Sequence, residues 1–63
     1  SDPGILLKKG YSITTANGRL VKSATDLSRN EVIQTLFYEG HVKSRVVEIY
    51  KTEKYDRKKN ADL

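Results

Sequence analysis

Asn17-Gly18 is the feature that most constrains this chain. It sits between Tyr11-Ser12-Ile13-Thr14-Thr15, which alternates apolar and polar residues, and Arg19-Leu20-Val21-Lys22-Ser23. Asn and Gly are the two residues that accept positive φ at low cost. Together they fit a type I′ turn, whose twist matches that of paired strands. The dipeptide therefore predicts a hairpin. With a two-residue loop, Thr15 faces Leu20, Thr14 faces Val21 and Ile13 faces Lys22, which puts Leu20 on the Tyr11/Ile13 side. A longer loop would exchange the faces, and the sequence leaves both registers open.

A second hairpin is expected downstream. Residues 24–30 are a polar connection with one apolar plug, Leu27. Residues 31–38 are rich in β-branched and aromatic side chains, Glu39-Gly40 offers a tight turn, and residues 41–50 run back. A helical reading of residues 31–38 or 41–50 is the alternative, but the i, i+3, i+4 stripe is poor and both segments flank a Gly turn with β-rich content. With Tyr38 opposite His41, one face pairs Phe37 with Val42, Thr35 with Ser44 and Ile33 with Val46. It carries no formal charge and is the better core candidate. The other face pairs Leu36 with Lys43, Gln34 with Arg45 and Val32 with Val47. The sequence leaves open whether Ile5–Lys9 pairs as a short fifth strand, with Leu6 and Leu7 closing one end of the core, or hangs free. The fold class is all-β: a small four- to five-stranded antiparallel meander or open barrel built from two hairpins.

Length sharpens the demand on that sheet. A chain of 63 residues holds one domain and typically buries only about 60% of its unfolded surface. No cysteine is present and His41 is the single histidine, so disulfides and a zinc site are not available as staples. Stability must come from an apolar core, a partner surface, or both. The lack of cysteine fits a reducing compartment such as the bacterial cytoplasm. Ser1-Asp2-Pro3, in a chain without methionine, is read as a cut end, so a fragment of a larger protein is expected. The longest apolar run, Ile5-Leu6-Leu7, is far too short to span a bilayer, and no membrane partner is expected.

Charge divides the chain in two. Residues 51–63 hold five Lys/Arg against three acids, and residues 1–50 hold seven against five. The division predicts a β domain over 1–50 and a charged, disordered tail over 51–63. No phosphate loop, metal-ligand cluster or nucleophile–base set is present. His41 beside Glu39 sits at a turn tip, and Asp26, Glu31, Glu39 and Glu48 are scattered over turns and strand ends. These acids read as solvation and capping rather than as a metal-dependent hydrolase site. Lys8, Lys9, Arg19, Lys22, Lys43 and Arg45 interleave with Tyr11, Phe37, Tyr38 and Tyr50, a pattern used by proteins that hold single strands of nucleic acid. The candidate contacts are Lys22, Lys43, Arg45 and Tyr38. Arg57-Lys58-Lys59 would touch phosphates without sequence preference, or simply solubilise the end.

The order of residues resembles a known family. Pro3, Leu6-Leu7-x-Lys9-Gly10-Tyr11-Ser12-Ile13, a Gly turn, Val21-x-Ser23-Ala24, Leu27 and Ile33-x-x-x-Phe37-x-x-Gly40-x-Val42-x-Ser44-x-Val46 are similar to the C-terminal end of the large subunit of exodeoxyribonuclease VII, over residues 3 to about 49. Lys9 stands where that family usually has Arg. Asn30-Glu31 stands for Gly-Asp, and Glu39 for Asp. Asn tolerates positive φ, so the Asn30 turn should survive the swap.

The resemblance implies a cytoplasmic bacterial nuclease that degrades single-stranded DNA to oligonucleotides. It also implies a large subunit with an OB-type domain, a catalytic domain and a long helical region that holds small helical subunits. This segment matches the stretch C-terminal to the helical region and carries none of the catalytic residues and no cofactor. The parent is an enzyme and the segment alone is not. Its partners would be the rest of the large subunit and the small subunits. Gly10 is expected to bend the strand entry, and Tyr11 to bury its ring and tie its hydroxyl to a neighbour. Leu6, Leu7, Val32, Leu36, Val47 and Ile49 are surplus apolar residues that suit an interface. The leading expectation is a non-catalytic packing or assembly domain. A single-stranded DNA-binding module is the second reading, and an unrelated RNA-binding β-barrel the third.

Overall fold

A computed structural model describes residues 2–55 and 58. The order of elements is α1 (Pro3–Lys8), β1 (Ile13–Ala16), β2 (Arg19–Leu20), a single 3₁₀ turn (Ala24–Asp26), β3 (Val32–Leu36) and β4 (His41–Arg45). The strands form one four-stranded antiparallel sheet, as expected from two hairpins. Its order is β2-β1-β3-β4, so the hairpins join through β1 and β3 and the sheet stays open.

The first hairpin has the two-residue loop. Ala16 pairs with Arg19 and Thr15 with Leu20, and the Val21 N–H donates to the Thr14 carbonyl at 2.9 Å. Asn17 and Gly18 take φ of 51° and 75°, as a type I′ turn demands. β2 then ends at once. Ser23 caps the 3₁₀ turn, its hydroxyl accepting from the Thr25 N–H at 3.2 Å, and the chain leaves the sheet. A two-residue strand offers little ladder to β3, whereas β1 offers four residues.

The second hairpin corrects the expected register. Leu36 pairs with His41, Thr35 with Val42, Gln34 with Lys43, Ile33 with Ser44 and Val32 with Arg45, a slide of two residues from the sequence reading. Glu39-Gly40 as a two-residue loop would need positive φ at Glu39. Only Gly40 adopts it, at 82°, and the Phe37 N–H donates to the Gly40 carbonyl at 2.9 Å. Because the slide is an even number, every side chain keeps its expected face.

Residues 3–8 form helix α1 with Lys9 as its C-cap, so Ile5–Lys9 is neither a fifth strand nor a free end. The Asp2 carboxylate accepts from the Gly4 N–H at 2.9 Å and Pro3 opens the first turn. At the other end, Gly10 has φ 102°. The Gly10 N–H donates to Leu7 at 3.0 Å and the Tyr11 N–H to Leu6 at 3.2 Å. This is a Schellman cap, in which a glycine in the left-handed region satisfies the last carbonyls. Gly10 therefore ends a helix rather than bending a strand. Tyr11 follows in extended chain with its ring exposed, not buried.

The face holding Ile33 and Thr35 is the more protected. Both are half-buried, while Val32, Gln34 and Leu36 on the same strand are exposed. Thr14, Ala16, Val21 and Val46 are half-buried as well. Among the described residues, however, none is fully buried, so the expected core is absent. The accessible surface is 5944 Å². Residues 51–55 are exposed and without regular structure. The rest of the expected tail, apart from Lys58, lies outside the described residues.

Candidate partner face and nucleic-acid interface

The four candidate contacts do not converge. Lys22 follows β2 at one edge of the sheet, while Lys43 and Arg45 lie on β4 at the other. Three inter-strand steps separate the edges, about 14 Å. Tyr38 lies in the loop between β3 and β4, exposed.

Arg45 is already engaged. Its Nη1 donates to the Asn30 carbonyl at 2.6 Å. Asn30 has φ 71°, its N–H donates to the Val46 carbonyl at 2.8 Å, and the Val46 N–H donates to Glu31 at 2.9 Å. Glu31 closes the turn on itself: its carboxylate accepts from the Ser28 N–H at 2.9 Å, and its own N–H donates to the Ser28 carbonyl at 3.2 Å. Asn30 and Glu31 thus do here what a glycine and an aspartate would do, a positive φ followed by a side-chain acceptor. The result is a clamp that fixes the entry of β3 to the exit of β4. Arg45→Ala is expected to lower stability by about 1 kcal/mol through this hydrogen bond. Lys43→Ala, on the same strand without such a bond, should change it by less than about 0.5 kcal/mol. Urea unfolding of the two variants checks the difference.

Two surfaces do bring candidate residues together. The first is the sheet face opposite Ile33. Leu36 pairs with Ile13 across β1 and β3, and Leu20 lies diagonally beyond, beside Thr15. Leu20 is 56% exposed, Val32 44% and Leu36 42%. His41, Lys43 and Arg45 flank this apolar stretch along β4. Of the other surplus apolar residues, Leu6 and Val47 are exposed, and Leu7 and Ile49 are half-buried.

The second is a cleft of about 390 Å³ where residues 22–25 meet residues 50–55. It brings Lys22 to Lys51, Lys54, Tyr50 and Tyr55. Sequence reasoning missed this grouping because it placed residues 51–55 in a tail. Asp26 and Glu31 line a separate shallow cleft with Arg19. Among the described residues, no group of three His, Cys, Asp or Glu could hold a metal.

The chain is 48% identical over 40 residues to the exodeoxyribonuclease 7 large subunit of Pseudoalteromonas atlantica. It is 38% identical over 47 residues to that of Shewanella frigidimarina. The chain belongs to the exodeoxyribonuclease 7 large-subunit family. The two matches cover 64% and 75% of the chain but 9% and 10% of the relatives, so the chain spans about a tenth of the length of the curated relatives it matches. No family model and no solved structure matches it. Both relatives are named as the large subunit of an exodeoxyribonuclease. No helix among the described residues is long and apolar enough to cross a membrane.

Proposed function

We propose that this chain is a non-catalytic C-terminal accessory domain of an exodeoxyribonuclease 7 large subunit, and that it packs against the body of that subunit or a neighbouring subunit of the same assembly. One observation carries the reading: the sheet has no buried residue, so its apolar faces need a surface from outside the chain. The parent enzyme would degrade single-stranded DNA in the bacterial cytoplasm, and this domain would contribute position and stability rather than chemistry.

The test uses a large subunit shortened by this segment, with the 63-residue chain added back separately. Calorimetry should detect a complex, and the added chain should raise the melting temperature of the shortened subunit. The chain on its own should not hydrolyse single-stranded DNA, with or without magnesium. Failure to form the complex would sink the packing role, and hydrolysis by the chain alone would sink its non-catalytic character.

A further inference from the structure

We infer that the outer edge of β4 is a docking site for an extended acidic segment from outside this chain, which would join the sheet as a fifth strand. Backbone geometry carries the first half of the argument. β4 ends the sheet and pairs on one side alone. The Phe37 N–H donates to the Gly40 carbonyl at 2.9 Å, and at the far end the Val46 N–H donates to the Glu31 carbonyl at 2.9 Å. In an antiparallel ladder such bonded pairs recur at every second residue. Val42 and Ser44 therefore also turn their backbone groups toward β3, and the N–H and carbonyl groups of His41, Lys43 and Arg45 point outward. The whole strand is exposed. An open row of this kind is what strand addition uses: main-chain hydrogen bonds supply affinity, and alternate side chains choose the partner.

Charge decides what joins. His41, Lys43 and Arg45 share one face of β4, so the two cations sit on residues whose backbone groups are also open. A residue directly opposite each would lie on the same face, about 5 Å away. Carboxylates at alternate positions of an added strand would thus meet Lys43 and Arg45 in register. Among the described residues no carboxylate pairs with either cation. Arg45 is held ready: Nη1 is fixed on the Asn30 carbonyl at 2.6 Å, and its other N–H donors can still reach a carboxylate. The other face of β4 carries Val42 and Ser44, so the intervening positions of the partner suit β-branched apolar residues. This chain has no two acids at alternate positions, so neither its own tail nor a second copy supplies the pattern.

The probe is an acetylated and amidated Glu-Val-Glu-Val-Glu peptide, as long as β4, titrated into the isotope-labelled 63-residue chain. Amide shifts are expected at His41, Lys43 and Arg45, larger than those at Val42 and Ser44. Lys43→Glu should weaken binding by about tenfold, and a peptide with lysine at its centre should recover the loss. N-methylation of the central glutamate keeps the charge but removes a ladder donor, and should also cost about tenfold. N-methylation of the valines, whose N–H groups would face away from β4, should cost nothing. Absence of binding at millimolar peptide overturns the inference. So does equal binding of the all-lysine analogue, indifference to N-methylation of the central glutamate, or shifts centred on the Lys22 cleft or the Leu20/Leu36 face. Self-association of the chain through β4 would overturn it as well. No large subunit is present in this titration, so the packing role can fail or hold independently.

Discussion

Leu20→Glu with Leu36→Glu is expected to leave the isolated chain about as stable as before while reducing its affinity for the shortened large subunit by at least a hundredfold. Both leucines stand on the open side of the sheet, 56% and 42% exposed. In the free chain a glutamate there meets water, and surface changes of this kind usually stay within about 0.5 kcal/mol. Against a partner the same carboxylates would be stripped of solvent with no designed counterpart, at several kcal/mol per ion. The apolar burial that the leucines complete, about 1 kcal/mol each, would also be lost. A hundredfold change needs only about 2.7 kcal/mol. Calorimetric titration reads the affinity and urea unfolding of the free chain reads the control. Equal affinity in the double variant would place the interface elsewhere, with the opposite face, around Ile33 and Val46, the next to mutate.

The second large effect is expected at Asn30. Valine there should destabilise the chain by about 2 kcal/mol or more, and glycine should change it by less than about 0.5 kcal/mol. Asn30 has φ 71°, a region that costs a β-branched residue far more than Asn and costs Gly nothing. The position also anchors the clamp. The Asn30 N–H reaches Val46 at 2.8 Å and its carbonyl receives Arg45 at 2.6 Å, so a forced change of φ breaks both. In a sheet without a core to absorb the loss, 2 kcal/mol is a large share of the total. Thermal unfolding of the valine and glycine variants decides the matter. A valine variant as stable as the parent would mean that the turn is free to relax and the clamp holds nothing.

Asn17-Gly18 and Asn30 were legible in the sequence because positive φ is a local demand that few residue types meet. The face assignment survived a wrong register for the same kind of reason: alternation fixes parity, and the slide at Glu39-Gly40 was even. Helix α1 had signals at both ends, Asp2-Pro3 and Gly10, but its interior Ile5-Leu6-Leu7 is short and reads equally as strand. The missing core was invisible, since an alternating pattern states which side chains share a face and not whether anything covers them. Arg45 was assigned to DNA because its partner is a backbone carbonyl fifteen residues away, which no side-chain pattern records. The tyrosine–lysine cleft was missed because residues 50–55 carry charge without periodicity, and only the fold returns them to Lys22.

The edges of the sheet carry a consequence for behaviour at high concentration. At one side the terminal strand is two residues long, too short to template a neighbour. At the other, β4 sets Lys43 and Arg45 on alternate positions, and a second copy laid alongside would bring like charges together. Fibril growth needs such edges to zip without interruption. Crowded chains of this kind should therefore cluster through their apolar faces into amorphous, salt-sensitive aggregates that redissolve on dilution, rather than extend strand by strand into amyloid.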